Sequence, residues 1–114
     1  MSESFPKSER LTGRLAINKV YTEGKEEFSH PLLIKYLENP ESKGNRLLVS
    51  VPKRLFKRAV DRNLLKRRIR EAYRKNKHLI QGKNIDITCT FIGKEIATYH
   101  IIEKKLLAIL TRLG

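Results

Sequence analysis

Residues 53–77 read KRLFKRAVDRNLLKRRIREAYRKNK, and the division of this stretch into two faces decides the fold. At 100° per residue, Leu65, Ile69, Ala72 and Tyr73 share one side of a helix at i, i+4, i+7 and i+8, the spacing of a face packed on a core. Asn63, Lys66, Arg67, Arg70 and Arg74 recur at i, i+3, i+4, i+7 and i+11 and form a second stripe beside it. The pattern predicts a helix from about Arg58 to Leu79, ended before Gly82, with one face for structure and one for binding.

Charge is concentrated here. Twelve of the 25 Lys and Arg residues lie in the stretch, opposed only by Asp61 and Glu71, so it carries ten of the thirteen net positive charges. Like charges at i, i+4 destabilise a helix by a few tenths of a kcal/mol per pair, and Glu71 relieves only part of that. A solvated helical face usually mixes Glu with Lys. This one is rich in Arg, whose planar fork suits bidentate phosphate contacts and stacking on bases, and it includes the amide of Asn63. The stripe therefore reads as a nucleic-acid surface.

The rest of the composition agrees. The chain has 114 residues, enough for one domain and one core. Its pI near 10.2 favours a polyanion, because neutralising phosphates releases counterions. A membrane surface would call for bulky exposed apolar residues on a basic helix, whereas the apolar face here is narrow. MSESFPKSER lacks an apolar signal-peptide core, and no uncharged apolar run approaches the length of a membrane span. With Cys89 as the sole cysteine, no intramolecular disulfide can form, which suits a reducing cytoplasm.

Working outward from the basic stretch, Arg46–Val51 alternates Leu47, Val49 and Val51 with Leu48 and Ser50, a strand that Pro52 ends. The turn-rich NPESKGN joins it to a strand over Pro31–Leu37, and so short a link predicts that the two are antiparallel neighbours. KEEFSH reads as a polar link. Before it, Ala16, Ile17, Val20 and Tyr21 have helical spacing over Gly13–Glu23, with Gly24 placed as a left-handed C-terminal residue. Residues 1–9 read as a flexible lead-in. Downstream, Ile85, Ile87, Cys89 and Phe91 alternate with Asp86, Thr88 and Thr90, making Cys89 a small core residue. Thr98 then caps a helix with Ile102, Leu106, Ile109, Leu110 and Leu113 on one face. The order α-β-β-α-β-α predicts a single-domain α+β sandwich over residues 1–114 with helices on one sheet.

No catalytic constellation stands out. His30, His78 and His100 have no metal-binding spacing, and Glu26, Glu27, Glu38 and Glu41 fall in predicted turns as solubility charges. Neither paired carboxylates nor a nucleophile with its base is evident.

Lys53-Arg54, Arg58-Ala59-Val60, Arg62-Asn63, Lys66-Arg67 and Arg70-Glu71 resemble the RNR motif of the bacterial ribonuclease P protein subunit, whose pattern runs KR…AVxRNxxKRxxRE. The resemblance extends to Arg10-Leu11, to Val20-Tyr21 with Gly24, to Arg46–Lys53 and from Ile85 onward. It implies a protein that binds a catalytic RNA and the 5′ leader of precursor tRNA during leader removal. The catalytic centre would lie in the RNA, with Mg²⁺ held mainly by RNA and substrate, and the protein would be a monomer within a ribonucleoprotein.

By that resemblance Lys53, Arg54, Arg58, Arg62, Asn63, Lys66, Arg67, Arg70 and Arg74 contact RNA, while Ile17, Tyr21 and Lys35 line the leader groove. It also implies a left-handed crossover from Val51 through the basic helix to Ile85, against the right-handed rule for βαβ units. Two sites depart from the family pattern. Ala16 and Ile17 stand where it commonly has an acidic residue and Phe, and Leu48 stands where it often has Gly. A ribosomal-type RNA-binding protein would share the basic helix. A helix-turn-helix DNA reader would need a second helix just upstream, and none is predicted there.

Overall fold

The computed structural model describes residues 7–114. A 3-10 turn, Lys7–Glu9, is followed by α1 (Arg14–Glu23), β1 (Lys25–Ser29), β2 (Leu32–Glu38), β3 (Arg46–Ser50), α2 (Ala59–Asn76), a 3-10 turn over Lys77–Ile80, β4 (Ile85–Phe91) and α3 (Tyr99–Leu113). The four strands form one sheet in the order β1-β2-β4-β3. This is the α+β class predicted, with differences from the sequence reading in strand pairing, backbone conformation and element bounds.

First, the polar link is a strand. KEEFS has no apolar alternation, and it extends because each residue pairs with β2, from Lys25 opposite Tyr36 to Ser29 opposite Leu32. Second, β2 and β3 are not neighbours. The seven-residue β4 lies between them, antiparallel to β2 and parallel to β3. Being central, β4 is covered on both faces, so Asp86 and Thr88 are as buried as Ile87 and Cys89. Third, Gly24 is not left-handed. Its φ of −74° and ψ of 159° are extended, and glycine is needed because a Cβ would run into the carbonyl oxygens of Val20 and Tyr36. Fourth, residues 1–6 of the expected lead-in lie outside the described residues, and the rest of it is held to the domain: Glu9 pairs with Lys77 at 2.9 Å, and Leu11 N–H donates to Leu47 O at 3.0 Å beside a parallel bridge from Arg10 to Leu47.

The core lies on one face of the sheet. Leu32, Ile34, Leu47, Val49, Ile85, Ile87, Cys89 and Phe91 meet Leu65, Ile69, Ala72 and Tyr73 of α2 and Ile102, Leu106, Ile109 and Leu110 of α3. All four positions assigned to the packed face of the basic helix are buried. The helix is shorter than predicted, ending at Asn76, because the chain tightens into the 3-10 turn before Gly82, whose φ is 85°. Thr98 caps α3 as expected, its hydroxyl accepting from Ile101 N–H at 3.3 Å.

Side chains alternate, so the residues between those core positions point to the second face. There α1 crosses β2 and β4, with Val20 fully buried beneath it. The register sets Leu48, Thr88, Lys35 and Glu26 in one row across the four strands and Ser50, Thr90, Leu33 and Phe28 in the next. Thr88, nearer α1, is buried, whereas Phe28 is half exposed.

Asp86 is 3% exposed and answers to three donors: Arg46 Nε and Nη2, each at 2.9 Å, and Asn39 Nδ2 at 3.0 Å. The hydrogen bond to Asp86 raises the Arg46 pKa above its usual value despite partial burial. A buried ion pair adds little net stability once desolvation is counted. What it specifies is register, because Arg46 and Asp86 are directly opposed on the parallel β3–β4 ladder.

Candidate nucleic-acid interface

The basic stripe begins before α2. Lys53 and Arg54 stand exposed in the turn after Pro52, and Arg58 occupies the N-cap position with its side chain 76% exposed and 3.9 Å from Asp61. At that range and exposure the ion pair contributes little, so the Arg58 guanidinium is available to an external anion.

Arg62 has an additional task. Its Nη1 donates to Phe56 O at 2.8 Å and to Lys57 O at 2.9 Å, folding the lead-in back onto the first turn of the helix. Phe56 is in turn buried, edge-on to Phe91 at 5.7 Å between centroids. The guanidinium thus ties the loop carrying Lys53, Arg54 and Arg58 to the core. No hydrogen bond among the described residues occupies its Nε or Nη2.

Asn63, Arg67 and Arg70 are exposed and Lys66 is half-buried, and none of the four has an intramolecular acceptor among the described residues. Partial burial first, and the nearby Arg10 second, hold the Arg70 pKa below its usual value. Arginine remains cationic nonetheless, so Arg70 keeps its positive charge beside that of Arg10. Arg74 differs, being held by Glu71 in a two-point pair at 3.0 and 2.8 Å. An i,i+3 surface pair of this kind is weak. Arg68 is turned away from the stripe and donates to Ala97 O at 2.6 Å, tying α2 to the segment before α3.

Beyond Arg74 the surface deepens into a hollow of about 460 Å³ lined in part by Lys43, Arg74, Lys77 and His78. Neither this hollow nor the approach of Arg10 to Arg70 is visible in the sequence, since both depend on chain segments far apart in number meeting at α2.

The groove residues lie on the second face. Lys35 Nζ donates to Tyr21 O at 3.3 Å and sits 5.9 Å from the Tyr21 ring centroid, so these two predicted residues are brought together. Tyr21 is 39% exposed and Ile17 half-buried. Glu27, read as a solubility charge in a turn, lies on β1 and pairs with Arg112 of α3 at 2.9 Å. Cys89 is fully buried, and burial pushes its thiol up to about 12. No helix of the described residues is long and apolar enough to cross a membrane.

Comparison with known proteins bears on this geometry. Residues 5–114 match the family described as Ribonuclease P. The Ribonuclease P protein component of Porphyromonas gingivalis (strain ATCC 33277) is 40% identical over 116 residues, covering 95% of this chain and 85% of that protein. Its counterpart from Thermotoga maritima is 33% identical over 118 residues, covering 99% and 98%. Among solved structures, the Staphylococcus aureus RNase P protein superposes with a TM-score of 0.81 at 27% identity, covering 93% of this chain and 95% of that one. The T. maritima RNase P protein gives 0.80 at 30% identity, covering 93% and 98%. Superpositions of that quality carry handedness, so the β3–α2–β4 crossover has the hand of those structures. Sequence match, fold and the register of the basic stripe agree: the chain belongs to the bacterial ribonuclease P protein component family.

Proposed function

We propose that the chain is the protein half of a ribonuclease P holoenzyme, gripping a catalytic RNA with the α2 stripe and guiding the 5′ leader of precursor tRNA over the second face of the sheet. The observation that carries this reading is the run of Asn63, Lys66, Arg67 and Arg70, four adjacent donors without an intramolecular acceptor among the described residues, on a helix whose other face is core.

Each group has a part. Asn63, Lys66, Arg67 and Arg70 bind phosphate oxygens and base edges of the catalytic RNA. Arg74 joins them by exchanging Glu71 for phosphate. Arg62 fixes the loop that presents Lys53, Arg54 and Arg58 along the same strand of RNA. Tyr21, Lys35 and Ile17 face the leader, with the Lys35 ammonium held beside the Tyr21 ring.

Phosphodiester hydrolysis then falls to the RNA. The described residues contain no group of three His, Cys, Asp or Glu side chains able to hold a metal ion, and the buried carboxylate Asp86 is already occupied by Arg46 and Asn39. The described residues do not assemble a Mg²⁺ site, and in this reading the ion is held by RNA and substrate. The protein neutralises phosphates that would otherwise repel one another, which lowers the Mg²⁺ concentration the RNA needs.

Reconstitution tests this directly. Precursor tRNA is incubated with the catalytic RNA at low Mg²⁺, with and without the protein, and with the protein alone. Cleavage should require the RNA and be accelerated by the protein. Cleavage by the RNA-free protein, or no effect on the RNA at any Mg²⁺ concentration, would overturn the proposal.

A further inference from the structure

The second face holds an aromatic that the family resemblance does not assign. Position 17 is Ile where the pattern commonly has Phe, which removes a stacking platform from α1. Phe28 lies on the same face, on the edge strand β1, and is 51% exposed. Its ring meets that of His30 edge-on, with centroids 6.3 Å apart and planes at 70°, so its orientation is restrained although one side remains open to solvent.

The row to which Phe28 belongs is Ser50, Thr90, Leu33 and Phe28, one residue from each strand. Three inter-strand spacings make it roughly 14 Å long, the scale of a few nucleotides of single-stranded RNA. At the β3 end the chain passes from Ser50 through Val51 and Pro52 to the exposed Lys53 and Arg54. One end of the row is therefore continuous with the basic surface, and the other ends in aromatic rings. Between them stand two hydroxyls and a leucine. In the neighbouring row the Lys35 cation is opposed by Glu26. A surface neutral along its length and basic at one end suits bases lying on the sheet, with phosphates drawn toward Lys53 and Arg54.

We infer that Phe28, oriented by His30, is a base-stacking platform for the single-stranded 5′ leader at the β1 end of the open sheet row, taking over the aromatic role that Ile17 leaves vacant. The inference rests on the holoenzyme reading above and adds to it a subsite and a leader-length dependence. Stacking on an aromatic tolerates any base, so the platform reads the presence and length of the leader and not its sequence.

The test uses holoenzyme reconstituted with the catalytic RNA and compares affinity for precursor tRNA bearing a long leader, a single-nucleotide leader and none. Phe28→Ala should weaken long-leader binding by about tenfold and leave the leaderless and single-nucleotide RNAs unchanged. Phe28→Leu, which keeps apolar packing on Leu33 but has no π-face, should lose as much as Phe28→Ala, and Phe28→Tyr should behave as wild type. Wild-type affinity in Phe28→Leu overturns stacking, and an equal loss on all three RNAs overturns leader specificity. A change in the free protein's self-association with no change in leader affinity assigns the face to a second copy and also overturns the inference. Failure of the underlying reading looks different, because Arg67→Ala and Arg70→Ala would then leave binding to the catalytic RNA intact.

Discussion

Replacing Arg62 separates two roles that the basic motif combines. Its Nη1 donates two charge-assisted hydrogen bonds, at 2.8 and 2.9 Å, to the carbonyls of Phe56 and Lys57. Such bonds contribute about 1.5–3 kcal/mol each when buried, and a half-exposed guanidinium that water can replace retains less. Arg62→Ala should therefore cost about 1–3 kcal/mol in all, a large share of a domain's total of about 5–15 kcal/mol. For a domain of this size that corresponds to a fall in Tm of about 4–12 °C, read by far-UV circular dichroism. RNA binding should weaken as well, because the loop carrying Lys53, Arg54 and Arg58 loses its tie to the helix. Arg67→Ala is the control, an exposed residue with no intramolecular partner among the described residues, whose melt should lie within about 2 °C of wild type. If Arg62→Ala melts with Arg67→Ala while losing RNA affinity, Arg62 is an RNA contact only, and the loop is held by something else.

Three further outcomes are expected. In salt titrations of binding to the catalytic RNA, Arg67→Ala and Arg70→Ala should each reduce the log–log slope by about 1; an unchanged slope would remove those residues from the phosphate contacts. Ile69→Asp should abolish the cooperative melt, because an unpaired carboxylate buried at a fully enclosed position costs several kcal/mol; a folded Ile69→Asp domain would refute the division of α2 into two faces. Cys89 should resist alkylation at pH 8 in the native protein and react once it is unfolded. Because its pKa rises on folding from the ordinary 9.0 to about 12, the stability it contributes is complete below pH 9 and is lost as pH rises toward 12. A Cys89→Ser variant with the same alkaline stability profile would show that this thiol is not the group responsible.

The parts of this architecture that a sequence can show are those encoded within one continuous stretch. Both faces of α2 repeat at helical spacing inside residues 59–76, so Leu65, Ile69, Ala72 and Tyr73 were assignable to the core and Asn63, Lys66, Arg67 and Arg70 to the surface. Strand order is a different matter. Asp86 and Thr88 make β4 look like a strand with one wet face, when its central position and the Arg46–Asp86 pair let it bury both. β1 carries almost no apolar signal and exists through its pairing with β2. At the candidate interface, the tasks of Arg62 and Arg68 depend on loops returning to the helix, and Arg10 comes near Arg70 from a segment whose Leu11 is hydrogen-bonded to Leu47. A helix wheel treats all basic residues alike; the tertiary structure separates Arg62 and Arg68, which bind the protein's own carbonyls, from Arg67 and Arg70, which are exposed.

The pinning of Arg10 and Leu11 to Leu47 also bears on solubility. β3 is an outer strand, and Leu47 and Val49 give it an apolar side whose unsatisfied ladder groups would otherwise offer a template for another chain. The bridge from Arg10 and the buried Leu11 side chain cover that edge at its start, while Lys25, Glu26 and Glu27 put charge along the opposite edge at β1. A protein shortened to begin at Gly13 would keep every basic residue of α2 and lose this cover. It should aggregate at concentrations where the intact chain stays dispersed, a failure of expression that an RNA-binding assay alone would mistake for a defect in recognition.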